Sequence, residues 1–291
     1  MNNFASFIKL QFAFLVFGIA SLSAFQNDSV VVEDSLATPD SVNMALKPRF
    51  GVFGHFGYNL HLANFTNLPS VFSCCPEFTG GNGSGYSFGG LFEYPINEEL
   101  HLNLRAGISI YDGSMSSREA ENLIIDGKSQ TGYFEHKLDF NLGSFGIEPM
   151  VAYNVAPNLF LHGGLRVGLL TNSYFEQIEE IVEPADRGTF IDGKRTRNHQ
   201  FGEINDASAM MFGLSFGVGY ELVMNKKESL LLVPELFYTM NLSPAVAGIE
   251  WNVHQIHGGI AIKYRHPPPP PAPLLPPLNP PSASPALPPA P

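Results

Sequence analysis

The chain has 291 residues, with 16 Lys and Arg against 27 Asp and Glu, and a formal net charge of −11. That balance leaves no basic stripe to neutralise phosphates, which excludes nucleic acid as a partner. The two cysteines, Cys74 and Cys75, are adjacent, which excludes the spaced pairs of a disulfide framework.

In chain order, residues 1–24 carry one Lys, an apolar run and then small residues. They read as a secretory signal peptide, because the run is short of the ~20 residues a spanning helix needs. Residues 25–48 are acidic and without a sustained period, a mobile lead-in. Residues 49–266 form the body. Residues 267–291 hold 14 of the 24 prolines and read as an extended polyproline spacer.

The body has no run of 18 apolar residues, so no transmembrane helix is expected. Its period is two, the mark of strands with unlike faces. In the strand from Leu100, Leu102, Leu104, Ile108 and Ile110 share one face, and His101, Asn103, Arg105, Gly107 and Ser109 the other. The same alternation starts near Phe50, Tyr86, Phe145, Leu159, Met210, Leu230 and Ile256. The strand from Leu230 is less clean, because Leu231, Val233 and Phe237 fall on its polar face. These eight strands are joined alternately by long connections (64–85, 112–137, 172–207, 241–250) and short ones (95–99, 154–158, 223–229). Short turns at one end and long loops at the other describe an up-and-down barrel.

Eight antiparallel strands close either as a soluble barrel or as a membrane barrel. The polar face here holds Gly, Ser and His with charges of both signs: Glu93, Glu148, Glu221 and Glu235 against Arg105, Arg166 and Lys263. Small residues and pairable charges suit a crowded interior. The other face is Phe, Leu and Ile with Tyr near strand ends, as lipid contact requires. The expected fold is therefore all-β, an eight-stranded antiparallel up-and-down transmembrane barrel with short periplasmic turns and long extracellular loops. Both termini are then periplasmic, and outer-membrane lipid surrounds the barrel. The expected role is structural, in envelope integrity, with surface loops available for binding; a narrow porin-like channel and a soluble lipocalin-like ligand-binding barrel are the alternatives.

Ser-Phe-Gly occurs at Ser87, Ser144 and Ser215, and two copies precede a Leu-Arg-small-Gly strand. Symmetric turns of equal length at 94–100 and 153–159 would set Arg105 opposite Gly89 and Arg166 opposite Gly146. That register preserves the faces, as a two-residue slip would also do.

The body and tail resemble the outer-membrane protein A-like barrels of double-membraned bacteria. The final strand, "HGGIAIKY", is similar to the assembly signal of that superfamily, with His257, Gly259, Ile262 and Tyr264 in alternation. The resemblance implies recognition by the barrel-assembly machinery. The proline-rich tail resembles a periplasmic linker that leads, in that family, to a peptidoglycan-binding domain. The sequence as given stops at Pro291 before any such domain, so peptidoglycan is the expected partner of a longer chain only.

Other chemistry is weakly signalled. His55, His101, His162 and His257 read as a satisfied polar core rather than metal ligands. No H-E-x-x-H occurs and no nucleophile–base spacing is visible, so neither enzymatic activity nor a cofactor is expected. Adjacent cysteines have Cα atoms ~3.8 Å apart, below the ~4.4 Å at which disulfides begin. Cys74 and Cys75 are either a strained loop disulfide or a pair of loop thiols. The long connection around 176–200 is acidic, then basic, and reads as a solvated loop.

Overall fold

The computed structural model describes residues 47–72 and 77–266. The signal peptide, most of the lead-in, Cys74, Cys75 and the proline-rich tail lie outside the described residues. Among the described residues no helix is long and apolar enough to cross a membrane; the crossing segments are strands.

Ten strands follow in chain order: β1 (Arg49–Phe65), β2 (Phe78–Pro95), β3 (Leu100–Ile125), β4 (Lys128–Ala156), β5 (Leu159–Glu183), β6 (Thr196–Glu203), β7 (Met210–Tyr220), β8 (Leu222–Val223), β9 (Leu230–Asn241) and β10 (Glu250–Tyr264). Eight of them form a closed antiparallel ring in the order β1-β2-β3-β4-β5-β7-β9-β10, with β10 returning to β1. Closure removes the unpaired edges that an open sheet would present. All eight alternating segments of the sequence are ring strands. β6 pairs only with β5, and the two-residue β8 pairs with β9.

The apolar face points outward. Phe50, Val52, Phe56, Phe88, Leu104, Ile147, Leu165, Phe216, Ile260 and Ile262 are all exposed. Tyr94, Tyr153 and Tyr264 are exposed at the short-turn end, and Tyr58, Tyr86 and Tyr238 farther along. On β2 the two belts are eight residues apart, Tyr86 to Tyr94. That is about 27 Å along a strand at ~3.4 Å per residue, or roughly 20 Å of height at a tilt of ~40°.

Two expectations need correction. First, the register at both short turns is displaced by two residues. Gly89 pairs with Gly107, and Arg105 with Leu91; Gly146 pairs with Gly168. The turns are not symmetric about their midpoints. Asn97 Oδ1 accepts the backbone N–H groups of Glu99 and Leu100, which moves the first loop toward its C-terminal side. In the second, a bulge between Asn154 and Ala156 and a positive φ of 63° at Asn158 do the same. Because the slip is two, every side chain keeps its face. The Ser-Phe-Gly copies of β2 and β4 instead flank β3, giving a row Ser87–Ser109–Ser144 and a row Gly89–Gly107–Gly146. A Cβ at Gly89 would lie 2.1 Å from the Ala106 carbonyl oxygen, so the strands there approach too closely for any side chain.

Second, the connections 112–137 and 172–207 are largely sheet rather than loop. β3 and β4 pair without interruption up to a two-residue turn, Ile125 with Lys128. Asp126 and Gly127 have φ of 52° and 74°, the primed turn for which Asp-Gly is suited. Beyond the membrane both faces of a sheet can be hydrated, so pairing persists without the strict alternation that revealed the lower strands. β6 extends this upper sheet from β5, and its open edge curls back to β3. Ile124 bridges Thr189, and a small core of Leu123, Ile125, Phe134, Ile181 and Phe190 fills the space between.

Candidate functional site

The interior of the barrel is where the predicted site residues converge. Inward positions on each ring strand are two residues apart, so each strand lowers a column of side chains into the lumen. Glu93, Arg105, Glu148, Arg166, Glu221, Glu235 and Lys263 are all buried.

They sort into three groups. Nearest the short turns, Lys263 Nζ donates to Glu93 at 2.7 Å and to Glu221 at 3.1 Å. Arg49 joins the same two carboxylates at 3.0 and 3.2 Å, and His101 Nδ1 lies 3.0 Å from Glu93. Higher up, the Arg105 guanidinium spans both oxygens of Glu235 at 2.7 and 2.8 Å, the fork geometry that makes such pairs strong. His55 Nε2 is 3.1 Å from the same carboxylate, and Arg105 lies over the Phe237 ring at 4.6 Å. On the β4–β5 wall Arg166 pairs with Glu148 and donates to Ser144.

Arg49 is the residue that sequence reasoning missed. The seven predicted charges hold four acids and three bases; Arg49 supplies the fourth base and makes the set neutral. The signal was present, since Arg49 shares the parity of Gly51 and His55. A confined site of low dielectric penalises any unpaired charge, which is the reason to look for the missing partner.

The lumen is also less polar than expected. Phe53 packs on Leu91, Leu231, Val233 and Ala261, and Phe237 is buried at the level of Arg105. The β9 residues that blurred its alternation are thus inward apolar filling. Above the charges, Asn59 of β1 and its cross-strand partner Gln255 of the adjacent β10 hydrogen-bond at 2.8 Å on the lumen wall. Beyond them the long-loop mouth is closed by an apolar cluster around Trp251, which is fully buried. Phe65, Phe78, Phe140, Met211 and Val253 from the strands join Leu68, Val71, Ile204, Ala245 and Val246 from the connections. Trp251 also donates to His61 Nδ1 at 3.2 Å. Extending the alternation of the last strand back to residue 251 would have placed this tryptophan inside.

The four predicted histidines are buried. His55 and His257 meet at 3.2 Å, and His257 continues to Thr239 and Ser215. Among the described residues no cluster of His, Cys, Asp or Glu is arranged to hold a metal ion. The residues of the expected assembly signal lie on the final ring strand. Ile262 and Tyr264 face outward, while His257 and Gly259 face the lumen.

A cavity of about 10 Å³ borders Phe53, Arg105, Ser109, Glu148 and Arg166, the size of one water molecule.

The residues matched by the family model for the outer membrane protein beta-barrel domain are 22–246. The chain belongs to that family. Membership places it in the outer membrane, and β10, just past the matched residues, is the strand that completes the family's ring here. Among solved structures, the chain is similar to Neisserial surface protein A (13% identity, 74% of this chain and 96% of that chain, TM-score 0.33). It is also similar to OprG of Pseudomonas aeruginosa (15%, 75% and 96%, 0.31). A third is the outer membrane protease OmpT of Escherichia coli (9%, 80% and 99%, 0.33). No curated protein matches the sequence.

Outside the membrane band of this family barrel, Arg197 holds the curled upper sheet together. From β6 its guanidinium takes both oxygens of Glu121 on β3 at 2.6 and 2.9 Å and Glu179 on β5 at 2.7 Å. It stacks over Phe190 at 4.1 Å. Burial acts against its charge, but the hydrogen bonds to Glu121 and Glu179 outweigh it and raise the pKa above the usual arginine value. Arg195 meanwhile donates to the carbonyls of Ile181, Pro184, Ala185, Arg187 and Gly188, so the adjoining loop is tied down. Arg197→Ala is expected to weaken this region locally by about 1.5–3 kcal/mol, toward the lower value because the side chain is 22% exposed. Limited proteolysis checks it. Cleavage within 184–195 should rise about tenfold or more while the ring stays intact; unchanged cleavage would show that Arg197 is not the latch.

Proposed function

We propose that this protein is a closed structural barrel of the outer membrane, serving envelope integrity, with a rigid surface sheet presented to the outside. The observation that carries the reading is the blocked lumen: paired charges fill its lower part and the Trp251 cluster stops its mouth. An eight-stranded ring is just wide enough for side chains to fill. In this reading the short turns are periplasmic and the long-loop end is extracellular, so both chain termini face the periplasm. The inward charges act as neutral filling that sets the register and not as a conduction path or catalytic group. The outward Ile262 and Tyr264, with His257 and Gly259, serve as the signal for the barrel-assembly machinery, and lipid is the partner of the aromatic-belted wall.

Planar-bilayer recording of the refolded full chain tests the reading. It should show no stable open channels at any voltage that the bilayer survives. Reproducible unitary conductance would replace the structural role with that of a narrow porin. A chain that stays monomeric in water without detergent would remove the membrane assignment altogether.

A further inference from the structure

The outer wall carries a polar cleft that neither the lumen nor the apolar band accounts for. It forms where β5 changes partner. Leu169 of β5 pairs with Met210 of β7, and Tyr174 pairs with Glu203 of β6. Between these points the connection from β6 to β7 arches away from β5, bonded to it at its ends by Leu170 N–H to Ala209 O and Ile204 N–H to Ser173 O, while its middle is tied to the β9–β10 connection by Ser208 N–H to Ala245 O and Ala247 N–H to Asp206 O. β5 is also bulged here: Gly143 pairs with Asn172 and Ser144 with Leu170, leaving Thr171 without a partner on β4. Bulges re-aim side chains, and they concentrate near binding sites.

The resulting cleft has a volume of about 170 Å³, below the ~300 Å³ at which sites for drug-sized molecules begin and of the order of one sugar ring. Thr171, Asn172, Ser173 and Ser208 line it with hydroxyl and amide groups. Glu203 is its one charged lining residue, and no basic side chain lines it. That donor set suits the hydroxyls of a neutral sugar and repels phosphate or sulfate. Tyr174 forms one wall, its hydroxyl 3.4 Å from Glu203. Phe201 pairs with Glu176, two residues along β5, so Phe201 and Tyr174 share the outward face. They are 76% and 50% exposed. Isolated exposed aromatics are ordinary, but two on one face beside a polar cleft offer a flat shelf on which the apolar face of a pyranose can stack. The cleft lies just past Leu169 and Met210, the outward apolar pair at this seam, where water and headgroups can satisfy its polar groups.

We propose that this cleft binds one uncharged sugar ring, with Phe201 and Tyr174 as the stacking shelf and Glu203 accepting from its hydroxyls. The ring could be carried by a membrane glycolipid or arrive as a free saccharide; the recognising chemistry is the same.

The test uses the full chain in detergent micelles, with ligand-observed saturation-transfer NMR on glucose, galactose and N-acetylglucosamine. In parallel, the chain is placed in bilayers with and without a galactosyl-headed lipid, and protection of Phe201 is read by oxidative footprinting. At least one neutral sugar, free or lipid-borne, should bind saturably. Phe201→Ala should weaken it about tenfold, and Glu203→Gln severalfold, with heat-modifiable gel migration confirming that each variant is folded. Binding of free sugar assigns a soluble ligand; protection only by the sugar-headed lipid assigns a membrane one. The proposal is overturned if neither form binds, if both substitutions leave binding unchanged, or if glucose 6-phosphate binds more tightly than glucose.

Discussion

Glu235→Ala is expected to destabilise the barrel by about 3–5 kcal/mol, the cost of leaving a buried charge without its partner. Arg105 is the charge left behind. Its guanidinium makes both of its strong contacts to Glu235, its side chain is 2% exposed, and Phe53 and Phe237 face it on other sides. His55 loses the same acceptor. Urea titration of the refolded protein in vesicles should show a lower midpoint. The double variant Glu235→Leu with Arg105→Met should recover most of the loss, because removing both charges also removes the desolvation penalty. A single variant with an unshifted midpoint would mean that water reaches Arg105, and the solid-lumen picture would fail with it.

Trp251→Ala removes the largest side chain of the mouth cluster, and an expected cost of about 3–5 kcal/mol follows from the cavity and lost contacts. Phe65 and Phe140 lie 5.7 and 4.7 Å from its ring, and His61 loses its donor. The variant nevertheless should not conduct in a planar bilayer. Two closures remain beneath the mouth, the Arg105–Glu235 level and the Arg49–Glu93–Lys263–Glu221 level. Destabilisation without conductance is therefore the expected pair of results. Ion flow in Trp251→Ala would show that the aromatic cluster alone seals the lumen.

The lipid-facing wall was fully legible in the residue order. Alternation over the strands that begin near Phe50, Leu100 or Met210 assigns every side chain a face, because lipid outside and packed polar groups inside impose opposite chemistry on successive residues. The charge set was legible as well, up to Arg49, which stands one residue ahead of the alternating run. The upper sheet was not. Between Asp112 and Lys137 both faces meet water in part, so no pattern of two repeats.

The mouth and the register lay beyond sequence for different reasons. The cluster around Trp251 is assembled from strands and connections far apart in the chain, such as Leu68, Met115, Ile204 and Val246, and no local period reports a contact of that kind. Register depends on where a turn places its centre. Period two cannot distinguish a shift of two residues, and the Asn97 side-chain bonds and the bulge before Ala156 decided it in three dimensions. The sequence by itself determined an eight-stranded membrane barrel and which residues face its interior, because burial chemistry is written residue by residue. The tertiary structure decided which charges pair, where the lumen closes and that a sugar-sized cleft opens at the β5 seam, because each depends on distances between strands that only the closed ring sets.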